Sequence, residues 1–210
     1  MPRHSVLQPA SYLIQKWKNG SGSTSQIGIE PQGASFPFDP YHWRVSSARV
    51  NASGPFSLFP GYDRLLVLVH GEKLVLKERV QGELRPLREL KPFQVFSLAG
   101  EREIYAEADG LDLVDYNLFW KRGAVDAQCD VISKDTILAL RLPATRLSVI
   151  ATVIGPGATL RLGDSGPVWH LKDWETLRLD FENAELARAG SLAISELAPS
   201  SLVLVARFGF

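Results

Sequence analysis

Three short segments carry residue types suited to holding a small molecule. The first is Trp17-Lys18-Asn19-Gly20-Ser21-Gly22-Ser23-Thr24. Glycines at 20 and 22 permit positive φ and close backbone approach. Free N–H groups, Lys18 and the hydroxyls of Ser21, Ser23 and Thr24 could form an anion site. The same residues also make an ordinary turn, and no Gly-Lys-Ser/Thr or helix follows as a phosphate loop requires. The second segment is Trp43-Arg44-Val45-Ser46-Ser47 together with Gly54-Pro55-Phe56-Ser57-Leu58-Phe59-Pro60-Gly61-Tyr62-Asp63-Arg64. Arg44 and Arg64 lie in or beside apolar runs, and an inward arginine needs an anionic partner. Asp63 or Asp115 could serve, or a ligand carboxylate gripped by the guanidinium fork. The stretch 54–63 reads either as an ordered loop over a barrel mouth or as a packed connection. The third segment, Asp112 to Gly123, places Asp115 and Asn117 two apart and therefore on one strand face. That face looks either into a barrel or out to solvent.

Metal and nucleophile chemistry is poorly supplied. His4, His42, His70 and His170 form no HxH, HxxxH or HxxE pattern, so no metal is expected. Ser57 lacks the G-x-S-x-G elbow. Cys129 has no neighbouring base, and the adjacent Asp130 disfavours its thiolate.

The elements that must position these residues have a period of two. Alternating or β-branched apolar runs bounded by turn residues cover 24–29, 43–50, 64–69, 73–77, 93–98, 103–107, 113–120, 136–142, 147–154, 158–162, 176–179 and 202–207. Short strands with turn signals roughly every 8–12 residues predict a sandwich or barrel. Leu65 to Leu76 around Gly71 reads as a hairpin. Only Phe181 to Ala189 looks helical. No βαβ alternation argues for a parallel sheet. Arg64-LLVLVHGEKLVLK and Arg146-LSVIATVIGPGATLRL share a layout of basic residue, apolar strand, glycine turn and alternating strand. Two similar β-units would produce that echo, as would any chain of β-hairpins.

Composition narrows the class. The 210 residues are 45% hydrophobic and 22% charged, which is globular and enough for a real core. Lys plus Arg and Asp plus Glu are 23 each, so the basic excess of a nucleic-acid binder is missing. No apolar run has the length of a membrane span or signal core. A single cysteine excludes an internal disulfide. Together these predict a cytoplasmic protein, in which the sequon Asn51-Ala52-Ser53 is coincidental.

Taken in order, WKNGSGST, HWRVSSARV, SGPFSLFPGYDRLLVLVHGEKLVL, PFQVFSLAGE and DLVDYNLFWKRG resemble the HutD/Ves family, the histidine-utilisation D protein and its relatives. The resemblance spans residues 10 to about 125. It implies an all-β, cupin-like fold of the RmlC jelly-roll type with two antiparallel barrel units in one chain, a bicupin. The halves are expected at 1–120, carrying the motifs, and 121–210. It further implies no established catalysis, and binding of a pathway carboxylate such as formylglutamate or urocanate in a regulatory role in histidine utilisation or a stress-related pathway; no cofactor is expected. Matching motif residues are Trp17, Lys18, Asn19, Gly20, Gly22, Thr24, Trp43, Arg44, Ser46, Phe56, Ser57, Phe59, Pro60, Gly61, Arg64, Asp115 and Asn117. The chain departs at Ser21, where a third glycine is usual, and the family's D-l-N triplet reads Asp115-Tyr116-Asn117.

The expected site follows. Arg44 and Arg64 grip a small carboxylate, with Lys18 adding positive charge. Asn19, Thr24, Ser46 and Asn117 orient it, and Asp115 holds an arginine or lysine in place. Trp17, Phe56 and Phe59 exclude water. A cupin-type enzyme, metal-dependent or working by acid–base chemistry, is the alternative. A homodimer through an exposed strand edge is a further expectation.

Overall fold

The computed structural model describes residues 2–17, 20, 22–108, 112–140, 144–182 and 190–210. Those residues divide into two units, Leu13–Gly123 and Met1–Tyr12 with Ala124–Phe210. The expected 120/121 boundary falls inside a strand. The first residues belong to the C-terminal unit because their strand pairs there.

In the N-terminal unit the strands are β2 (Leu13–Lys16), β3 (Gly22–Glu30), β4 (Trp43–Val50), β5 (Gly54–Pro55), β6 (Tyr62–His70), β7 (Leu74–Val80), β8 (Glu83–Leu90), β9 (Val95–Ala99), β10 (Ile104–Glu107) and β11 (Leu113–Lys121). They form a six-stranded sheet, β2-β3-β4-β11-β6-β9, and a four-stranded sheet, β5-β10-β7-β8. The C-terminal unit holds β1 (Arg3–Leu7), β12 (Asp126–Ile132), β13 (Thr136–Ala139), β14 (Arg146–Ile154), β15 (Ala158–Leu162), β16 (Val168–Leu171), β17 (Thr176–Glu182), β18 (Ser191–Ser195) and β19 (Leu202–Gly209). Its sheets run β1-β17-β14-β19-β12 and β13-β18-β15-β16. Every recorded pairing is antiparallel.

The two strand orders are the same. Replacing β4 to β11 by β12 to β19 converts β9-β6-β11-β4 into β17-β14-β19-β12 and β5-β10-β7-β8 into β13-β18-β15-β16. The echo at Arg64 and Arg146 is therefore a duplicated unit, and the two-unit, cupin-like architecture expected from the sequence is present.

The expected hairpin around Gly71 is not. β6 and β7 lie in different sheets, so Gly71 begins an arch between layers. Leu66 and Leu68 of β6 meet Leu74 and Leu76 of β7 within one core cluster, each at most 1% exposed. Residues 65–69 are buried on both strand faces, which a solvated hairpin does not allow. Gly71 has φ +107°, and a Cβ there would lie 2.2 Å from Leu113 Cδ2. Gly155, at the matching arch between β14 and β15, has φ +102° and would place a Cβ 2.9 Å from the Ser200 carbonyl oxygen. The true hairpin comes one strand later. Val80 pairs with Glu83 across Gln81-Gly82, both at positive φ, which is the pattern of a two-residue type I′ turn. Strand β8 was hidden by its charges and Pro86, both tolerated because β8 is a sheet edge.

The helix expected over 181–189 finds no support at its start. Phe181 and Glu182 end strand β17, and 183–189 lie outside the described residues.

Candidate functional site

The six-stranded sheet contains a row of polar residues on its inward face. On β4, Arg44 and Ser46 share the face of Ala48 and Val50, which belong to the core cluster. On β6, Arg64 precedes Leu66 and Leu68. On β11, Asp115 and Asn117 follow Leu113. Register aligns Asn117 with Ser46 and Leu66, and Asp115 with Ala48 and Leu68. The polar row therefore faces the inside of the unit. In the C-terminal unit, β19 is the counterpart of β11, and it puts Val203 and Val205 into its core. Arg207, on the same strand face, is closed off by an ion pair to Asp130 at 2.6 Å.

A cavity of about 800 Å³ opens over the row in the N-terminal unit. Trp17, Thr24, Arg44, Ser46, Phe59, Arg64, Asp115 and Asn117, eight of the ten expected site residues, line it. The other two, Lys18 and Asn19, lie outside the described residues. The 54–63 stretch forms one wall through Phe56, Ser57, Leu58 and Phe59. It is pinned by bonds from Phe56 N to the Ile104 carbonyl and from Phe59 N to the Gly100 carbonyl, each 2.8 Å.

The Gly/Ser loop behaves as a tight turn where it is described. Trp17 N donates to the Gly22 carbonyl, and Gly20 N to the Trp17 carbonyl, both at 3.0 Å. Those two N–H groups are used within the turn. A Cβ on Gly22 would sit 2.3 Å from the Arg49 carbonyl oxygen and 2.9 Å from the Trp17 ring. The glycine thus lets the indole lie over the sheet, where its Nε1–H donates to Thr24 Oγ1 at 2.9 Å.

Both arginines are buried, Arg44 at 3% exposure and Arg64 at 7%. Neither pairs directly with a carboxylate among the described residues. Asp63 is engaged by Arg122 instead. Arg44 Nε donates to Gln26 Oε1 at 2.8 Å, and its two Nη atoms make no hydrogen bond among the described residues. Arg64 donates from Nε (3.0 Å) and Nη2 to Asn117 Oδ1, leaving Nη1 without a partner among the described residues. Phe36 and Phe56 each cover one guanidinium, with 4.0 Å from Cζ to ring centroid, and Phe119 lies 5.2 Å from Arg64. Such contacts are worth about 0.5–2 kcal/mol each and leave the in-plane N–H edges available. Burial lowers both arginine pKa values to about 10, and the two cations also repel one another at Arg44. Both stay charged at neutral pH.

Asp115 is 1% exposed. Its Oδ1 accepts from the Ala48 N–H at 3.2 Å and from Asn117 Nδ2 at 2.5 Å. Oδ2 makes no hydrogen bond among the described residues. Asp115 therefore holds Asn117, and Asn117 holds Arg64. The expected direct grip on an arginine is replaced by this relay. Burial pushes the Asp115 carboxyl up to about 6, against the opposing pull of Arg64 and its two hydrogen bonds.

Sequence reasoning missed Gln26, Phe36, Lys16 and Phe119. Gln26 had a signal: it sits two residues from Thr24, and register puts both on the cavity face, opposite Ser46 and Ala48. The irregularity between Gln26 and Gly28 then returns Ile29 to that face, opposite Arg44. Phe36 had none, because it comes from the loop between β3 and β4. Among the described residues no three His, Cys, Asp or Glu side chains gather where they could hold a metal ion. Burial, then Asp130, pushes the Cys129 thiol up to about 12. No helix among the described residues is long and apolar enough to cross a membrane.

Two duplicated antiparallel units, one with a cation-lined cavity, define a cupin-like protein. The HutD family model matches residues 10–193, and the chain belongs to the HutD family. Protein Ves of Citrobacter koseri is 30% identical over 185 residues, covering 88% of each chain. An uncharacterised 21.2 kDa protein from the region 3′ to hutC of Pseudomonas putida is 32% identical over 120 residues, which is 57% of this chain and 60% of that one. Among solved structures, HutD from Pseudomonas fluorescens SBW25, in a formate condition, superposes with TM-score 0.72 at 23% identity, covering 99% and 98% of the two chains. YlbA of Escherichia coli (TM-score 0.62, 9% identity, 99% and 90% covered) and an oxalate decarboxylase (0.61, 5%, 97% and 76%) share the fold.

Proposed function

We propose that the N-terminal unit binds a small carboxylate and reports its level within histidine utilisation. The observation that carries this reading is charge. Two buried guanidinium groups face one cavity whose described lining contains a single carboxylate, and the hydrogen bonds from that carboxylate reach Arg64 through Asn117. Two buried cations with one shared carboxylate are costly, and an anion seated on their open edges offsets that cost. The fork of an arginine matches a carboxylate bidentately. The cavity volume suits molecules from formate up to an amino-acid-sized acid such as formylglutamate, or the planar urocanate. Family membership and a relative encoded beside hutC support the pathway, and the absence of cysteine pairs from a one-cysteine chain supports the cytoplasm.

A thermal-shift titration with formate, glutamate, formylglutamate and urocanate tests it. Saturation at about 100 times Kd adds about 2.7 kcal/mol, an upward shift of roughly 5–10 °C for a chain of this size. Arg44→Ala and Arg64→Ala should each abolish the shift. Shifts that survive in both variants would place the ligand elsewhere.

A further inference from the structure

The relay from Arg64 through Asn117 to Asp115 ties a buried carboxylate to the cation that an anion would engage. Among the described lining residues, the charged groups besides Asp115 are basic. Arg44 comes from β4 and Arg64 from β6, while Lys16 of β2 lies exposed at the cavity rim, in register with Ser23 on the other sheet face; β3 contributes Thr24, β11 contributes Asn117, and the 54–63 wall contributes Ser57. Asp115 is the one carboxylate among the described lining residues. It is also the one negative charge that a bound anion must approach, and two anions sharing a small, partly dry site cannot both stay ionised cheaply.

We propose that the cavity takes up its anion together with a proton, the anion replacing Asp115 as counterion to Arg64 while Asp115 becomes a neutral carboxylic acid. This rests on the anion-binding reading above and adds its regulation. The proton comes from bulk solvent and no covalent bond to carbon changes. Geometry decides where it goes. Oδ1 already accepts two hydrogen bonds, from Ala48 N and Asn117 Nδ2, so the hydrogen belongs on Oδ2, which has no partner among the described residues. There it can donate to the bound molecule, whereas an ionised Oδ2 can only repel an anion's oxygen. Burial already raises this carboxyl to about 6. Losing Arg64 to a ligand removes the attraction that keeps it from rising further. The protein consequently senses anion and acidity together.

Isothermal titration of the full chain with formate and with glutamate, at pH 7 in two buffers of different ionisation enthalpy, counts the protons directly. Both ligands keep one charge state at the carboxylate from pH 6 to 8. The expected result is uptake of a substantial fraction of one proton per anion, and affinity falling up to tenfold between pH 7 and pH 8. Asp115→Asn should bind with the same heat in both buffers and with a flat pH profile. Should that variant fold poorly, carboxyl-carbon NMR of the unaltered protein supplies the second readout, and the Asp115 titration midpoint should rise on saturation with formate. Binding with no proton uptake and an unmoved midpoint would overturn the coupling and leave anion binding intact. No heat or thermal shift with any of the anions would overturn the binding reading itself.

Discussion

Asn117→Asp isolates the charge argument while barely changing shape. Asn117 Oδ1 receives Arg64 Nε at 3.0 Å and Nη2 as well, so the substitution puts a carboxylate oxygen on an arginine edge that is already engaged. An anion on the free Nη1 edge would then lie about 5–6 Å from the new negative charge, the width of a guanidinium plus two hydrogen bonds. At an effective dielectric of about 20, two like charges at that separation repel by about 3 kcal/mol. That corresponds to roughly a hundredfold loss of affinity. The new carboxylate also faces Asp115 Oδ1, now without the Nδ2 donor, so the pair should share one proton near neutral pH. Sharing reduces the loss at pH 6 and restores it at pH 8. Calorimetric titration with glutamate at both pH values, with circular dichroism to show an intact fold, measures this. A folded variant whose affinity stays within threefold of the parent at pH 8 would refute Arg64 as an anion contact.

Further predictions follow from neighbouring features. The Asp115 carboxyl is raised in the folded state, so its contribution to stability is present below about pH 4 and is lost as pH rises through about 6. Relative to Asp115→Asn, the parent should therefore gain about 2 kcal/mol between pH 7 and pH 4, seen in urea midpoints; a parallel pair of curves would contradict it. Gly71→Ala and Gly155→Ala force a Cβ into a positive-φ arch against Leu113 or Ser200. Each should cost about 2–4 kcal/mol by chemical denaturation, and equal stability would show that the arches relax freely. Arg207→Met removes a buried cation and its Asp130 partner contact in the C-terminal unit. It should lower Tm without altering anion affinity, and a loss of binding would place a site in that unit.

The strand pattern was legible in the chain, the duplication showed only as an echo that any chain of β-hairpins can produce, and most of the cavity residues entered through the family resemblance. Alternation by two at 43–50 and 113–120 is a local property, so it reveals which residues share a face before any partner is known. That is how Asp115 and Asn117 emerged as a pair, whereas Ser46 entered through the family resemblance. The Gly71 and Gly155 punctuation likewise recorded two arches as a repeat. What local pattern could not give was pairing. A strand–Gly–strand run looks alike whether it folds back in one sheet or crosses to another, and only the burial of both faces of β6 decides for the arch. Nor could sequence tell whether the polar face at 115 and 117 looked inward, because a polar stripe on a solvated sheet reads the same. Tertiary structure settled that by setting β11 between β4 and β6. It also brought Phe36 from a loop over Arg44, and placed Asn117 between Arg64 and Asp115. Distances between groups far apart in sequence depend on how whole strands register, and no window of a single strand contains that information.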